Sequence, residues 1–104
     1  MKKAVQQRGA ILVVKMPKEV DHCFADMMRE ELDRKLQMQD IGTLEFDFRN
    51  TEFMDSSGIG LLMGRYKLVK ALGGEVRITH AGERIRKILV LSGIHKIIPM
   101  EKEL

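Results

Sequence analysis

The sequence predicts an α/β fold in one domain spanning residues 1–104, a mixed and mostly parallel sheet of about five strands with helices packed on it. Three observations predict it. Short runs rich in β-branched residues alternate with runs of helical length. The apolar period switches between two and about four residues along the chain. A chain of 104 residues, 44% hydrophobic and 32% charged, has apolar material for a single core and is too short for two.

Ala10–Met16 (AILVVKM) is a β-rich run after the Arg8-Gly9 turn signal, which reads as the second arm of a hairpin closed by Pro17. Asp21 stands at an N-cap position ahead of Phe24, Met28, Leu32 and Leu36, an apolar residue every fourth position with charges between, and this predicts an amphipathic helix. After Gly42, Thr43–Phe48 (TLEFDF) alternates, placing Leu44, Phe46 and Phe48 on one face of a strand and Glu45 and Asp47 on the other. Residues 50–55 read as a loop.

The next helix is predicted over Ser57–Leu72, with Ile59, Leu62, Met63, Tyr66 and Val69 as its stripe and Gly73-Gly74 as its stop. Glu75–Thr79 (EVRIT) alternates as a strand. Glu83–Leu91 repeats the helical pattern through Ile85, Ile88 and Leu89 until Ser92-Gly93, and Lys96-Ile97-Ile98 before Pro99 reads as a last strand. The order β-β-α-β-α-β-α-β favours crossover connections into a parallel sheet behind the first hairpin.

Composition removes several classes of function. Cys23 is the one cysteine, so no internal disulfide forms, and a reducing compartment fits. No apolar run approaches the roughly 18 residues of a membrane span, and the opening MKKAVQQRG lacks the apolar core of a signal peptide, so the expectation is a cytoplasmic protein without a membrane partner. A net charge of +3 and five aromatic residues give little for nucleic acid to bind. Arg77, Arg84, Arg86, Lys87 and Lys96 form a basic region that reads as a solvated face. Asp21, His22, Cys23 and Asp26 lack metal-ligand spacing, so no metal or other cofactor is expected.

The segment Phe53-Met54-Asp55-Ser56-Ser57-Gly58-Ile59-Gly60 carries the most chemistry, because it lies between a strand and a helix N-terminus, where open α/β sheets place their sites. Its plain reading is a cap, since Asp and Ser oxygens accept the free N–H groups of a first turn. Three capping residues in succession, then Gly58, Gly60 and Gly64, exceed what a cap needs. Each glycine weakens a helix by about 1 kcal/mol relative to Ala, so something approaches closely there, either a partner or the sheet beneath. The spacing of the glycines is not that of a dinucleotide fingerprint or a Walker loop. Ser56 and Ser57 lack the flanking glycine of a hydrolase elbow, so the protein is not expected to be an enzyme, although His22, His80 and His95 leave a triad open by count.

This segment, continuing through Met63-Gly64-Arg65-Tyr66-Lys67, resembles the phosphorylation segment of bacterial anti-sigma factor antagonists, which are STAS domains; the nearest resemblance is to the anti-anti-sigma factors of sporulation. Glu19-Val20-Asp21-His22 is similar to that family's acidic stretch, Leu72-Gly73-Gly74-Glu75 to its helix-to-strand turn, and Leu91-Ser92-Gly93-Ile94 to its close. The resemblance implies a partner switch, regulating transcription in sporulation or stress. Ser56 would be the phosphorylated serine, and Asp21, His22, Asp55, Ser56, Ser57, Gly58, Ile59 and Gly60 the docking surface. The implied partners are an anti-sigma factor with serine kinase activity and a serine phosphatase. Asp55 would either orient the Ser56 hydroxyl or cap, and Ser57 would cap.

The family's members generally carry a further helix after the last strand. Met100–Leu104 allows a turn or so, so that helix is expected to be absent or shortened, leaving an apolar patch or a homodimer. The alternative reading is a STAS-type scaffold or small-ligand sensor in which Ser56 is only a cap.

Overall fold

The computed structural model describes residues 4–38 and 40–101. Strands β1 (Val5–Arg8) and β2 (Ile11–Lys15) form the expected antiparallel hairpin, with Arg8 opposite Ile11 across its turn. The remaining elements are β3 (Glu19–Val20), α1 (His22–Met38), β4 (Thr43–Asp47), β5 (Phe53–Met54), α2 (Ser56–Ala71), β6 (Glu75–Thr79) and α3 (Glu83–Ser92), followed by a 3-10 turn at Ile94–Lys96. The main sheet has the order β1-β2-β4-β6, parallel except at the hairpin, and β3 and β5 make a separate parallel pair. The sheet of about five strands is therefore four strands beside a two-stranded one. The loop expected at residues 50–55 contains β5, a strand too short to show a period.

Register explains the layering. Leu12, Leu44 and Val76 pair across three strands, as do Val14, Phe46 and Ile78, and all six are buried in one core with Met28, Leu32, Leu36, Leu61, Leu62, Val69, Ile85 and Leu89 from the helices. The neighbouring row, Val13, Glu45 and Arg77, points to the opposite face, where Arg77 Nη2 meets Glu45 Oε1 at 2.7 Å. Burying one such side chain contributes roughly 1.5–3 kcal/mol, so this alternation fixes which face the helices cover.

Helix α1 buries Ala25, Met28, Leu32 and Leu36, with Phe24 half-buried, close to its predicted stripe. Helix α2 follows its predicted stripe in part: Leu62 and Val69 are buried and Ile59, Met63 and Tyr66 pack half-buried against the core, but Gly58, Leu61 and Arg65, outside the stripe, are buried as well. Arg65 lies where α2 packs on α1, with its Nε 3.0 Å from Asp33 Oδ1. That contact lacks hydrogen-bond geometry, and neither Nε nor Nη1 has a partner among the described residues. Burial lowers the pKa of the Arg65 guanidinium, the Asp33 carboxylate raises it, and Arg29 lowers it further.

Among the described residues Asp33 is thus the one near counter-charge of a buried cation. Asp33→Ala is expected to destabilise the fold by about 2 kcal/mol, between the limits for exposed and buried pairs, whereas Arg65→Met should cost less because it removes the charge along with its partner's role. Urea denaturation of the two variants checks the order; equal losses would contradict it.

Helix α3 ends at Gly93, whose φ of 82° is left-handed, as Ser92-Gly93 predicts. The last strand predicted at Lys96–Ile98 is not formed: Ile94–Lys96 is the 3-10 turn, and Ile98 is buried in the core. Pairing occurs later, at Met100 beside Ile78, where Ile78 N donates to Pro99 O at 2.9 Å and Glu101 N to Ile78 O at 2.8 Å. A run with only two apolar residues, Ile97 and Ile98, is too short to show a strand period, and Pro99, lacking an N–H, can contribute only its carbonyl to the edge. Of the expected C-terminal turn, residues 102–104 lie outside the described residues.

Candidate functional site

The β3–β5 pair is small, and it sets the site. Glu19 pairs with Phe53 and Val20 with Met54, so Asp21 and Asp55 leave the two strands next to one another, with Asp55 N donating to Val20 O at 3.1 Å. Each aspartate then caps a helix. Asp21 Oδ1 accepts from Phe24 N at 3.0 Å, and Asp55 Oδ1 accepts from Ser57 N at 2.8 Å, with Asp55 in an extended conformation. Two helix N-termini therefore start side by side, each with its positive end covered by one carboxylate.

Ser56 is the first residue of α2 and is exposed; His22 and Cys23 begin α1 and are exposed beside each other, with Sγ and Nε2 3.6 Å apart. The expectation that Ser57 caps the helix is corrected. Asp55 is the cap, because from position 55 its carboxylate reaches back over the turn, whereas Ser57 is already inside the helix and supplies the N–H. Of the two roles open for Asp55, the structure forms the cap.

The glycines divide. A Cβ on buried Gly58 would lie 2.6 Å from Met54 Sδ and 2.9 Å from Val20 Cγ1, so this glycine seats α2 on the β3–β5 pair and offers no surface to a partner. Its inclusion in the docking surface is corrected accordingly. Gly60 is exposed with nothing within 4 Å of such a Cβ, and Ile59 is half-buried. Asp21, His22, Asp55, Ser56 and Gly60 are thus accessible residues at or near the paired helix starts.

Two apolar side chains on these elements are well exposed, Met27 at 55% and Phe53 at 49%. Met27 lies off the i, i+4 stripe of its helix, a signal available in the sequence.

No Ser-His-Asp constellation forms among the described residues. His80, with a left-handed φ of 57°, has Nδ1 3.3 Å from Asp47 Oδ1 and Nε2 2.9 Å from Arg49 Nη2, and no serine takes part. No group of three or more metal-ligating side chains is found among the described residues, and no helix among them is long and apolar enough to cross a membrane.

A family model described as the STAS domain matches residues 2–104. The chain belongs to the STAS-domain family. Within it, the chain stands among the anti-sigma factor antagonists: an anti-sigma F factor antagonist of Paenibacillus polymyxa is 33% identical over 96 residues, 92% of this chain and 82% of the relative. An anti-sigma-B factor antagonist of Bacillus subtilis is 28% identical over 95 residues, 90% of this chain and 84% of the relative. The fold of this STAS domain is that of the anti-sigma factor antagonist SpoIIAA in its unphosphorylated form, with a TM-score of 0.85 at 24% identity over 95% of this chain and 87% of that one. The phosphorylated form of the Bacillus cell fate determinant SpoIIAA superposes with a TM-score of 0.76, also at 24% identity, over 95% and 90% of the two chains.

The Asp55 cap gives this STAS domain a measurable local property. Asp55→Ala is expected to cost about 1 kcal/mol, as loss of an Asp cap does, and Asp55→Asn to recover most of it because the amide oxygen still accepts from Ser57 N. Thermal denaturation of both variants checks this, and a loss shared equally by Asn would point to the charge instead of the hydrogen bond.

Proposed function

We propose that this STAS domain is an anti-sigma factor antagonist that works by partner switching, with Ser56 as the phosphorylated residue. In this reading the unphosphorylated protein binds an anti-sigma factor that is also a serine kinase, through the surface around the two helix starts, and so releases a sigma factor. Phosphorylation at Ser56 ends the contact, and a serine phosphatase restores it. The observation that carries the reading is the exposed hydroxyl on the first residue of α2, flanked by the capping carboxylates Asp21 and Asp55.

The physical argument is local. A phosphoryl group adds about −1.5 to −2 charges at neutral pH. The helix N-terminus tolerates them through its dipole, so the domain stays folded. The same charge falls beside two carboxylates already present, making the corner strongly anionic. A partner that had packed against a neutral hydroxyl, His22 and the exposed Met27 must then desolvate that charge or leave it unpaired. No change of fold is needed.

The test is incubation of the full chain with an anti-sigma kinase and Mg-ATP, read by intact mass. A single phosphoryl group on the wild type and none on Ser56→Ala is the expected result. No mass gain, or a gain unaffected by Ser56→Ala, overturns the assignment and leaves Ser56 as part of a scaffold.

A further inference from the structure

The outer face of α3 lies outside the docking surface proposed for the switch and combines two properties. It is apolar: Val90 and Leu91 are exposed, Leu91 at 88%, and they line one shallow groove with Glu83 and the stems of Arg86 and Lys87. It is also cationic. Residues 83–96 hold Arg84, Arg86, Lys87 and Lys96 against the single carboxylate of Glu83, a formal net charge of +3 that equals the charge of the whole chain, so the remainder is balanced.

Little within the molecule neutralises these cations. Lys87 Nζ lies 3.7 Å from Glu83 Oε1 between two well-exposed side chains, a contact of small value. Arg86 Nη1 donates to the Glu101 carbonyl at 3.4 Å, and among the described residues neither Arg84 nor Arg86 has a carboxylate partner.

We propose that this face docks an acidic amphipathic helix of a protein partner, its apolar stripe seated in the Val90–Leu91 groove and its carboxylates facing Arg86 and Lys87. A concave aliphatic strip edged by cations matches the recognition of a helix laid in a groove, read by anchors one turn apart. Charge excludes a second copy as the better occupant, because pairing two α3 faces sets their arginines and lysines against each other with one carboxylate apiece. A lipid surface is also the poorer fit: membrane-lying helices present a broad apolar face, and here the exposed aliphatic residues of α3 are Val90 and Leu91. The proposal is independent of phosphorylation at Ser56.

The test uses the full chain, isotope-labelled, titrated with a synthetic helical peptide bearing one leucine stripe flanked by glutamates, and with the same stripe flanked by lysines. The expected result is amide shift changes confined to residues 83–97 with the acidic peptide alone, weakening as salt rises. Leu91→Ala, and separately Arg86→Glu with Lys87→Glu, should each lower affinity by about tenfold without changing helical content by circular dichroism. Equal binding of the lysine peptide, or shifts elsewhere on the protein, overturns the proposal. So does self-association in light scattering that Leu91→Ala abolishes, or binding to phosphatidylglycerol vesicles in place of the acidic peptide.

Discussion

Ser56→Glu is expected to weaken binding to an anti-sigma factor at least tenfold, and enzymatic phosphorylation at the same position about a hundredfold, measured by titration calorimetry against the unmodified protein. The ratio follows from charge: glutamate adds one negative charge where phosphate adds nearly two, and each factor of ten needs about 1.4 kcal/mol. Both changes place anionic groups next to Asp55, already engaged with Ser57 N, and near Asp21 on the neighbouring helix start. Raised salt should shrink the difference between Ser56→Glu and wild type, since exposed charges are screened over about 8 Å at physiological ionic strength. If Ser56→Glu bound with wild-type affinity while phosphorylation still abolished binding, bulk instead of charge would be the operative property. If neither changed affinity, the switch reading fails.

Gly58→Val is expected to be the most damaging single change to the fold near the site, at about 3 kcal/mol, the upper end for overpacking a close contact. Valine's Cβ would enter space held by Met54 and Val20. Met54 can bend its flexible side chain, but Val20 is fully buried on a strand and cannot withdraw. Helix α2 would have to lift from the β3–β5 pair, taking Ser56 away from the α1 start. The variant should therefore lose both stability in urea and kinase acceptance at Ser56. Gly60→Ala serves as the contrast, because its Cβ meets nothing within 4 Å and alanine favours the helix. A fully stable Gly58→Val would show that the close contact relaxes at little cost.

How much of this was legible in the sequence differs from element to element. Strands β4 and β6 were readable because each sets buried residues against more exposed ones in alternation, and β2 because a run of β-branched residues follows a turn signal, although three of its residues in succession are buried. Helix α1 was readable through its period, since Met28, Leu32 and Leu36 recur on one face. The buried face of α2 was readable in part, through Leu62 and Val69, but its contact residues also include Gly58 and Arg65: a missing side chain and a cation carry no hydrophobic signal, and both are inside for reasons of shape and pairing. Strand β5 has two residues, fewer than one full alternation.

At the site, the order Asp55-Ser56-Ser57 located the helix start to within a residue, but any of three side chains could have capped it. Only the hydrogen bond from Ser57 N decides for Asp55. The nearness of Asp21 and His22 to Ser56 came from family resemblance alone; the pairing of two dipeptides 34 positions apart is not a pattern that local sequence displays.

Ser56 is wound into the beginning of a helix. What lies beneath it is a ladder of two residues per strand, anchored in the core through Val20 and Met54 but without the further paired strands of the four-stranded sheet. Such a corner opens at lower free energy than the centre of a domain. Amides of residues 53–57 should accordingly exchange with deuterium faster than those of Leu44–Asp47, and the transient fraying they report would deliver the hydroxyl to the enzyme while the interior remains intact.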